Sequence, residues 1–248
     1  DARNATSQMK ANLSSNVSEG NAQQVLSWQM DHGTLRIKTT GGNLLLTPLQ
    51  AVDAPVRSFS HQTKEGAFFS KKSSCVLHVL YGTDDQLSRH KSLAIDKSPQ
   101  PAPSSVEDHG DCLTLSTTGY HADISKQQGY IRLYDAQGRL LVEEWPGRAR
   151  CNAVADSVVP QVRLRLQSQE ALYGLGQFRD GALNLRGVKR ELVQFNTQSA
   201  VPVVFSTAGW GMLWDNPSRT LFAADSTLSM RSDYGKVVDY YLFAGNSL

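Results

Sequence analysis

Residues 201–243 read VPVVFSTAGWGMLWDNPSRTLFAADSTLSMRSDYGKVVDYYLF, and this stretch decides the fold class. Apolar runs of strand length at 201–206, 211–214, 221–224 and 237–243, with an alternating run at 228–231, are separated by turn-formers such as Gly209, Asn216-Pro217, Asp225 and Asp233. The runs are rich in Val, Phe, Tyr and Trp, the residues that suit a pleated, half-buried surface. Strand follows strand with no helix between them, which points to a sandwich or barrel rather than a βαβ fold.

Outward from this stretch the same signals recur. A strand is expected at 192–195, and Val162-Arg163-Leu164-Arg165-Leu166 alternates cleanly, so one of its faces is buried and the other wet. Further strands are expected at 75–81, 112–117, 130–134 and 140–144, the last two joined by the turn Asp135-Ala136-Gln137-Gly138. Residues 25–30 and 35–38 flank Asp31-His32-Gly33 as a hairpin, and Gly41-Gly42 turns the chain into 44–46. No helical period of apolar residues runs beyond two turns after residue 24. The polar segment 84–110, containing Ser98-Pro99-Gln100-Pro101-Ala102-Pro103, reads as a long surface connection. Residues 1–23, rich in Ser, Asn, Gln and Ala, bury too little apolar surface to offset their ordering entropy. The expected organisation is therefore a polar N-terminal segment over 1–23, flexible or partly helical, followed by one all-β unit over 24–248. The end at Asn246-Ser247-Leu248, directly after a strong strand, reads as a cut between domains.

Composition narrows the function. The 25 basic and 23 acidic side chains leave a net charge of +2, which favours neither a nucleic-acid groove nor an anionic membrane patch. No apolar run approaches the ~20 residues of a membrane span. The three cysteines, Cys75, Cys112 and Cys151, lack metal-ligand spacing and are expected as buried free thiols; one bridge plus one thiol is the alternative in an oxidising compartment. Asn4, Asn12 and Asn16 open N-x-[ST] patterns that a secreted eukaryotic chain would glycosylate, and that an Asn- and Ser-rich tract also produces by chance. The polar start fits a mature secreted or periplasmic chain, with a cytoplasmic one as the alternative.

Little local chemistry is written in the chain. Gly174-Leu175-Gly176 lacks the third glycine and the helix of a phosphate loop, so its glycines are read as tight backbone packing at a strand end. Cleaving a glycosidic bond takes two carboxyl groups across the sugar. Asp180, Glu191, Asp215, Asp225, Asp233 and Asp239 are available, mostly as solvated strand edges or turn residues. The histidines show no ligand pattern, and His78, in an alternating strand, is read as a satisfied core histidine. No G-x-S-x-G elbow is present. Phe178, Asn184, Phe195, Asn196, Trp210, Trp214 and Asn216 supply the aromatic and amide groups of a sugar site, but for Trp210 and Trp214 the core reading is preferred. No metal or cofactor is expected.

Five blocks in order give the chain a family resemblance. Ala171-Leu172-Tyr173-Gly174-Leu175-Gly176-Gln177, Leu185-Arg186-Gly187 with Glu191-Leu192-Val193-Gln194-Phe195-Asn196-Thr197, Ala200-Val201-Pro202, 209–216 and Asp239-Tyr240-Tyr241 resemble the N-terminal domain of glycoside hydrolase family 31, which includes α-glucosidases and α-xylosidases. The resemblance implies a galactose-mutarotase-like antiparallel β-sandwich packed on a following (β/α)8 barrel. It places the aspartate nucleophile and acid/base of a retaining mechanism in that barrel, so no catalytic residue belongs to this chain and the 248 residues alone are expected to be inactive. It assigns the segment at Asn196, Thr197 and Gln198 to a loop lining the subsites for an oligosaccharide. The family often has an acid at the position of Gln198, whose neutral amide can still donate to and accept from hydroxyls. A free-standing carbohydrate-binding or protein-interaction module is the alternative. A mutarotase-type epimerase would need a His and a Glu in a motif that is not present. If a barrel is the partner, the sandwich should expose an apolar face for it.

Overall fold

The computed structural model describes residues 23–50, 75–95, 99–147, 150–154 and 157–245. The expected polar segment, apart from Gln23, its three sequons and the chain end at 246–248 lie outside the described residues.

Two antiparallel sheets make a sandwich. One runs β1 (Val25–Asp31), β2 (Thr34–Thr39), β3 (Gly42–Leu49), β4 (Val76–Gly82), β18 (Val238–Ala244), β15 (Trp210–Trp214), β14 (Ser199–Ser206), β12 (Leu172–Gln177). The other runs β13 (Lys189–Leu192), β16 (Thr220–Ala224), β17 (Thr227–Ser232), β11 (Ser157–Arg165), β9 (Leu140–Glu144), β8 (Ile131–Asp135), β7 (Tyr120–Ser125), β6 (Cys112–Ser116), β5 (Ser105–Asp108), with β10 (Arg150–Val154) also paired to β11. The hairpin between β1 and β2 turns at His32 and Gly33, both at positive φ, as a two-residue turn of this hand requires.

Alternation fixes which face goes inward. Leu35, Ile37, Leu44, Leu46, Leu77, Val79, Met212 and Leu242 from the first sheet meet Leu113, Leu115, Ala122, Ile124, Leu133, Val162, Leu164 and Phe222 from the second in one core. Each buried Leu, Ile or Phe contributes about 1.5–3 kcal/mol. The core also holds polar groups with partners. Glu144 accepts from Tyr240 Oη, from Ile131 N at 2.8 Å and from Arg150 Nη2 at 3.1 Å. Glu170 takes Trp210 Nε1 at 2.6 Å, Gln167 N at 2.7 Å and the Ser206 hydroxyl. Trp214 Nε1 donates to Ser232 Oγ at 2.9 Å. Both tryptophans are core residues, as read from the sequence.

Several expectations need correction. The connection over 84–110 carries a helix, α1 (Asp84–Arg89), and the strand β5. The helix starts because Thr83 and Gln86 form a reciprocal capping box, Thr83 N donating to Gln86 Oε1 at 3.0 Å and Gln86 N to Thr83 Oγ1 at 3.4 Å. The strand expected at 192–195 ends at Leu192, so Phe195 sits in a loop. Cys75 is exposed and Cys112 half-buried rather than buried, and both are free thiols. His78 is half-buried and hydrogen-bonded, on the outer face of its sheet rather than in the core.

Candidate functional site

The β13–β14 connection is a small braced loop. Beyond Leu192 the chain turns, and an isolated bridge joins Phe195 to Gln198, whose backbone N donates to Phe195 O at 3.3 Å. Two amide side chains brace this turn. Gln198 Nε2 donates to Val193 O at 3.2 Å; Gln194 Nε2 donates to Gln198 O at 3.0 Å, and Gln194 Oε1 accepts from Ala200 N at 3.2 Å. Asn196 and Thr197 are exposed at the apex beside Phe195, a large apolar side chain left 59% exposed. The structure thus brings the three expected residues into one loop but gives them different environments. Asn196 and Thr197 face solvent, whereas Gln198 is half-buried and spends its amide on the loop's own backbone. Beneath the loop lies a cavity of about 250 Å³ whose walls include Leu192, Gln194, Ala200, Pro202, Asn216 and Arg219.

Next to this loop, the outer face of the eight-stranded sheet is apolar. Val203, Leu213 and Tyr241 pair across β14, β15 and β18, and one step along the strands Phe205, Gly211 and Phe243 do the same. Val201 and Phe205 are 43% and 42% exposed, and the Phe205 and Phe243 rings lie 6.5 Å apart. Gly211 makes room for this packing, since a β-carbon there would stand 2.8 Å from the Phe205 ring.

Farther across the same face, polar groups replace the apolar ones. Asp239, 1% exposed, accepts from His78 Nε2 at 2.7 Å and His90 Nε2 at 2.6 Å, and the Ser92 hydroxyl donates to Asp215. These contacts tie α1 and residues 90–95 onto the sheet. Burial works to raise the Asp239 carboxyl, but the two imidazoles outweigh it and hold the group below its usual range. The hydrogen bond to Asp239 pushes His90 up. Burial raises Asp215. The His78 ring lies flat on Tyr241, 4.2 Å between centroids.

The other carboxylates have partners of their own. Arg190 takes Asp180 in a bidentate pair, both contacts 2.6 Å, while its guanidinium covers the Phe178 ring. Arg219 takes Asp233 at 2.6 Å and Glu191 at 3.2 Å. Asp225 is exposed. Asn184 Oδ1 accepts from the backbone of Leu172 and Arg186, each at 3.1 Å, and Asn216 closes a turn with Tyr234 and Ser218, so both amides are structural. Of the expected aromatic and amide set, Phe195 and Asn196 remain at the loop apex. Gln194, which braces the loop, was not singled out in the sequence, where nothing marks a glutamine that folds back on its own backbone. Among the described residues no group of three His, Cys, Asp or Glu side chains could hold a metal, and no helix is long and apolar enough to cross a membrane.

Comparison with known proteins places this geometry. The sequence profile of the glycosyl hydrolase 31 N-terminal galactose mutarotase-like domain matches residues 69–222. An uncharacterised family 31 glucosidase of Pseudescherichia vulneris is 29% identical over 61% of this chain and 33% of its own length. An α-xylosidase of Saccharolobus solfataricus is 27% identical over 55% of this chain and 20% of its own. A family 31 dextranase of Flavobacterium johnsoniae, solved with glucose, superposes with a TM-score of 0.70 at 15% identity over 92% of this chain and 27% of that one, a likeness of fold. The chain thus spans a third or less of the length of these relatives.

Proposed function

Since the chain belongs to glycoside hydrolase family 31 through its N-terminal galactose mutarotase-like domain, we propose that it serves as the non-catalytic sandwich of a retaining α-glycosidase of the α-xylosidase or α-glucosidase type. In this reading the stripe at Val201, Val203, Phe205 and Phe243 packs on a following (β/α)8 barrel. The neighbouring loop reaches the barrel mouth and offers Asn196 and Thr197 to an oligosaccharide. Gln198 acts one step back, by shaping the loop.

The juxtaposition of a self-braced loop with an uncovered apolar face carries the reading. A rigid loop meets a ligand without a large ordering cost. The apolar face is a surface that a lone soluble domain rarely leaves open. The carboxylates add support in the negative sense: Asp239 is closed off by two imidazoles, Asp180 is paired with Arg190, and Glu191 and Asp233 share Arg219. Such groups are poorly placed to act as a glycosidase acid and nucleophile.

The test compares hydrolysis of nitrophenyl α-xyloside and α-glucoside by this chain and by a protein extended past Leu248 into a family 31 barrel. Activity only in the extended protein is the expected result. Turnover by the 248 residues alone, abolished by Asp215→Asn or Asp239→Asn, would overturn the reading.

A further inference from the structure

A second cavity, of about 350 Å³, opens between the segment following α1 and the turn joining β17 to β18. Two large apolar side chains on its walls stay in water, Leu93 at 80% and Tyr234 at 57% exposure. The walls are prepared. Tyr234 O accepts from Ser218 Oγ at 2.8 Å and Asn216 Nδ2 at 3.2 Å, and Tyr234 N donates back to Ser218 Oγ at 3.2 Å. Gly235 lets this turn sit against Asn216 and Pro160, because a β-carbon there would run into both. The opposite wall is pinned by His90 on Asp239 and by Ser92 on Asp215, and Ser92 Oγ also takes Ile95 N at 2.9 Å. A tyrosine ring on a turn fixed by three hydrogen bonds is a presented group rather than a loose one.

Charge narrows what the cavity suits. Arg89, Lys91 and Lys236 border it, while Asp215 is its acidic member. Arg89 is engaged by Asp85 at 2.8 Å, which leaves Lys91 and Lys236 as the cations best placed for an outside anion. The ligand should therefore combine an apolar face for Tyr234 and Leu93, hydroxyls for the Asp215 carboxylate and the Tyr234 phenol, and one negative charge for the two lysines. A pyranose meets the first two requirements, and a carboxylate at its C6 meets the third.

We propose that this cavity binds a uronic acid residue of a saccharide, its ring face against Tyr234 and its carboxylate between Lys91 and Lys236. The site is made wholly of this chain's residues, so it can be probed without any further domain and independently of the glycosidase reading.

The experiment is a titration of the isotope-labelled chain, followed by amide NMR, with sodium glucuronate and with methyl α-glucoside. Glucuronate is expected to shift the amides of Leu93, Tyr234 and Lys236 and to bind about tenfold more tightly than the neutral sugar, a preference that added salt erodes. The double variant Lys91→Ala, Lys236→Ala should bring the two sugars to equal affinity, and Tyr234→Ala should weaken both. All three side chains are exposed, so the variants are expected to keep the wild-type amide spectrum elsewhere. Equal binding of both sugars by the wild type, shifts confined to other parts of the sandwich, or a preference that survives loss of both lysines would each overturn the proposal.

Discussion

Asp239 shows how much one side chain can hold. It lies on the outer face of a central strand, and the two imidazoles that satisfy it arrive from different elements, His78 from β4 and His90 from beyond α1. Because α1 buries none of its own residues, the polar contacts of His90 and Ser92 fasten this segment. The pH dependence follows from the directions of the shifts. His90 is raised, so its contribution is complete below the ordinary value of 6.5 and is lost as pH rises through the higher folded value. Asp239 is lowered, so its contribution is complete above 3.8 and is lost as pH falls through the folded value beneath it. Amide exchange in α1 and residues 90–95, corrected for intrinsic rates, should thus be slowest between 3.8 and 6.5 and quicken on the alkaline side. His90→Gln should flatten the alkaline limb, with Asp215→Asn as the control for the raised carboxyl nearby. An alkaline limb unchanged in His90→Gln would break the link to His90. Glu144 makes the matching case inside the core, where burial raises its carboxyl. Arg150→Met strands that group and should cost about 3–5 kcal/mol in urea unfolding. Tyr240→Phe removes one hydrogen bond and should cost about 1–3 kcal/mol. None of these partnerships is legible in the sequence: Asp239 lies 161 positions from His78 and 149 from His90 along the chain, and no local pattern encodes which residues meet across a sheet.

Elements were more legible than partners, for a physical reason. Strand, turn and burial follow from period-2 alternation and from turn-formers, which are local, and so 201–206, 211–214 and 228–231 fall within observed strands, while 162–166 overruns the end of β11 at Arg165 by one residue. Tyr120–Ser125 is an interior strand of its sheet that the sequence expectations do not include, because, of its inward-facing residues, only Tyr120 and Ile124 are large apolar side chains and Ala122 marks the face weakly. The misplacement of 192–195 has another cause. Val193 and Phe195 look like strand residues, but the bonds from Gln194 and Gln198 to the local backbone favour a turn. Gln198→Ala should speed amide exchange at Phe195 and Gln198 while leaving the midpoint of unfolding within about 0.5 kcal/mol, the usual range for a surface change. A loop whose exchange is unaltered would show that the amide is no brace. In β12, Gly174 and Gly176 have φ of 121° and 88°, and a β-carbon on either would run into the carbonyl oxygen of Val203 or Ser199. The glycines thus act as the sequence indicates, letting the backbone of one strand close on another. Gly176→Ala combines positive φ with a backbone collision and should cost about 1–3 kcal/mol, measured by denaturant midpoint.

At the scale of the molecule, the described part of the sandwich closes one core between its two sheets yet leaves an apolar stripe on its outer surface. Val201, Val203 and Phe205 alternate with inward-facing Val204 and Ser206 on β14, so their exposure is built into the strand's register. Burying them inward instead would require a one-residue slip that exposes Val204 and breaks the contact of Ser206 with Glu170. Local rearrangement therefore cannot hide the stripe; a partner surface can. The fold and the apolar blocks were readable from the sequence, but the stripe's continuity was not, because it is assembled by pairing β14 through β15 to β18. If the stripe is an interface, the isolated chain should associate with itself as concentration rises, and Val201→Lys with Phe205→Lys should return it to monomer in sedimentation equilibrium without lowering its unfolding midpoint. In a protein extended into a barrel, the same pair should lower the unfolding temperature and the turnover of nitrophenyl α-xyloside together. Removing a well-packed interface of two large apolar contacts costs several kcal/mol, at about 1.5–3 kcal/mol for each buried side chain. If the two lysines left association, stability and turnover unchanged, the stripe would be ordinary exposed surface, and the docking face would have to be sought on the ten-stranded side.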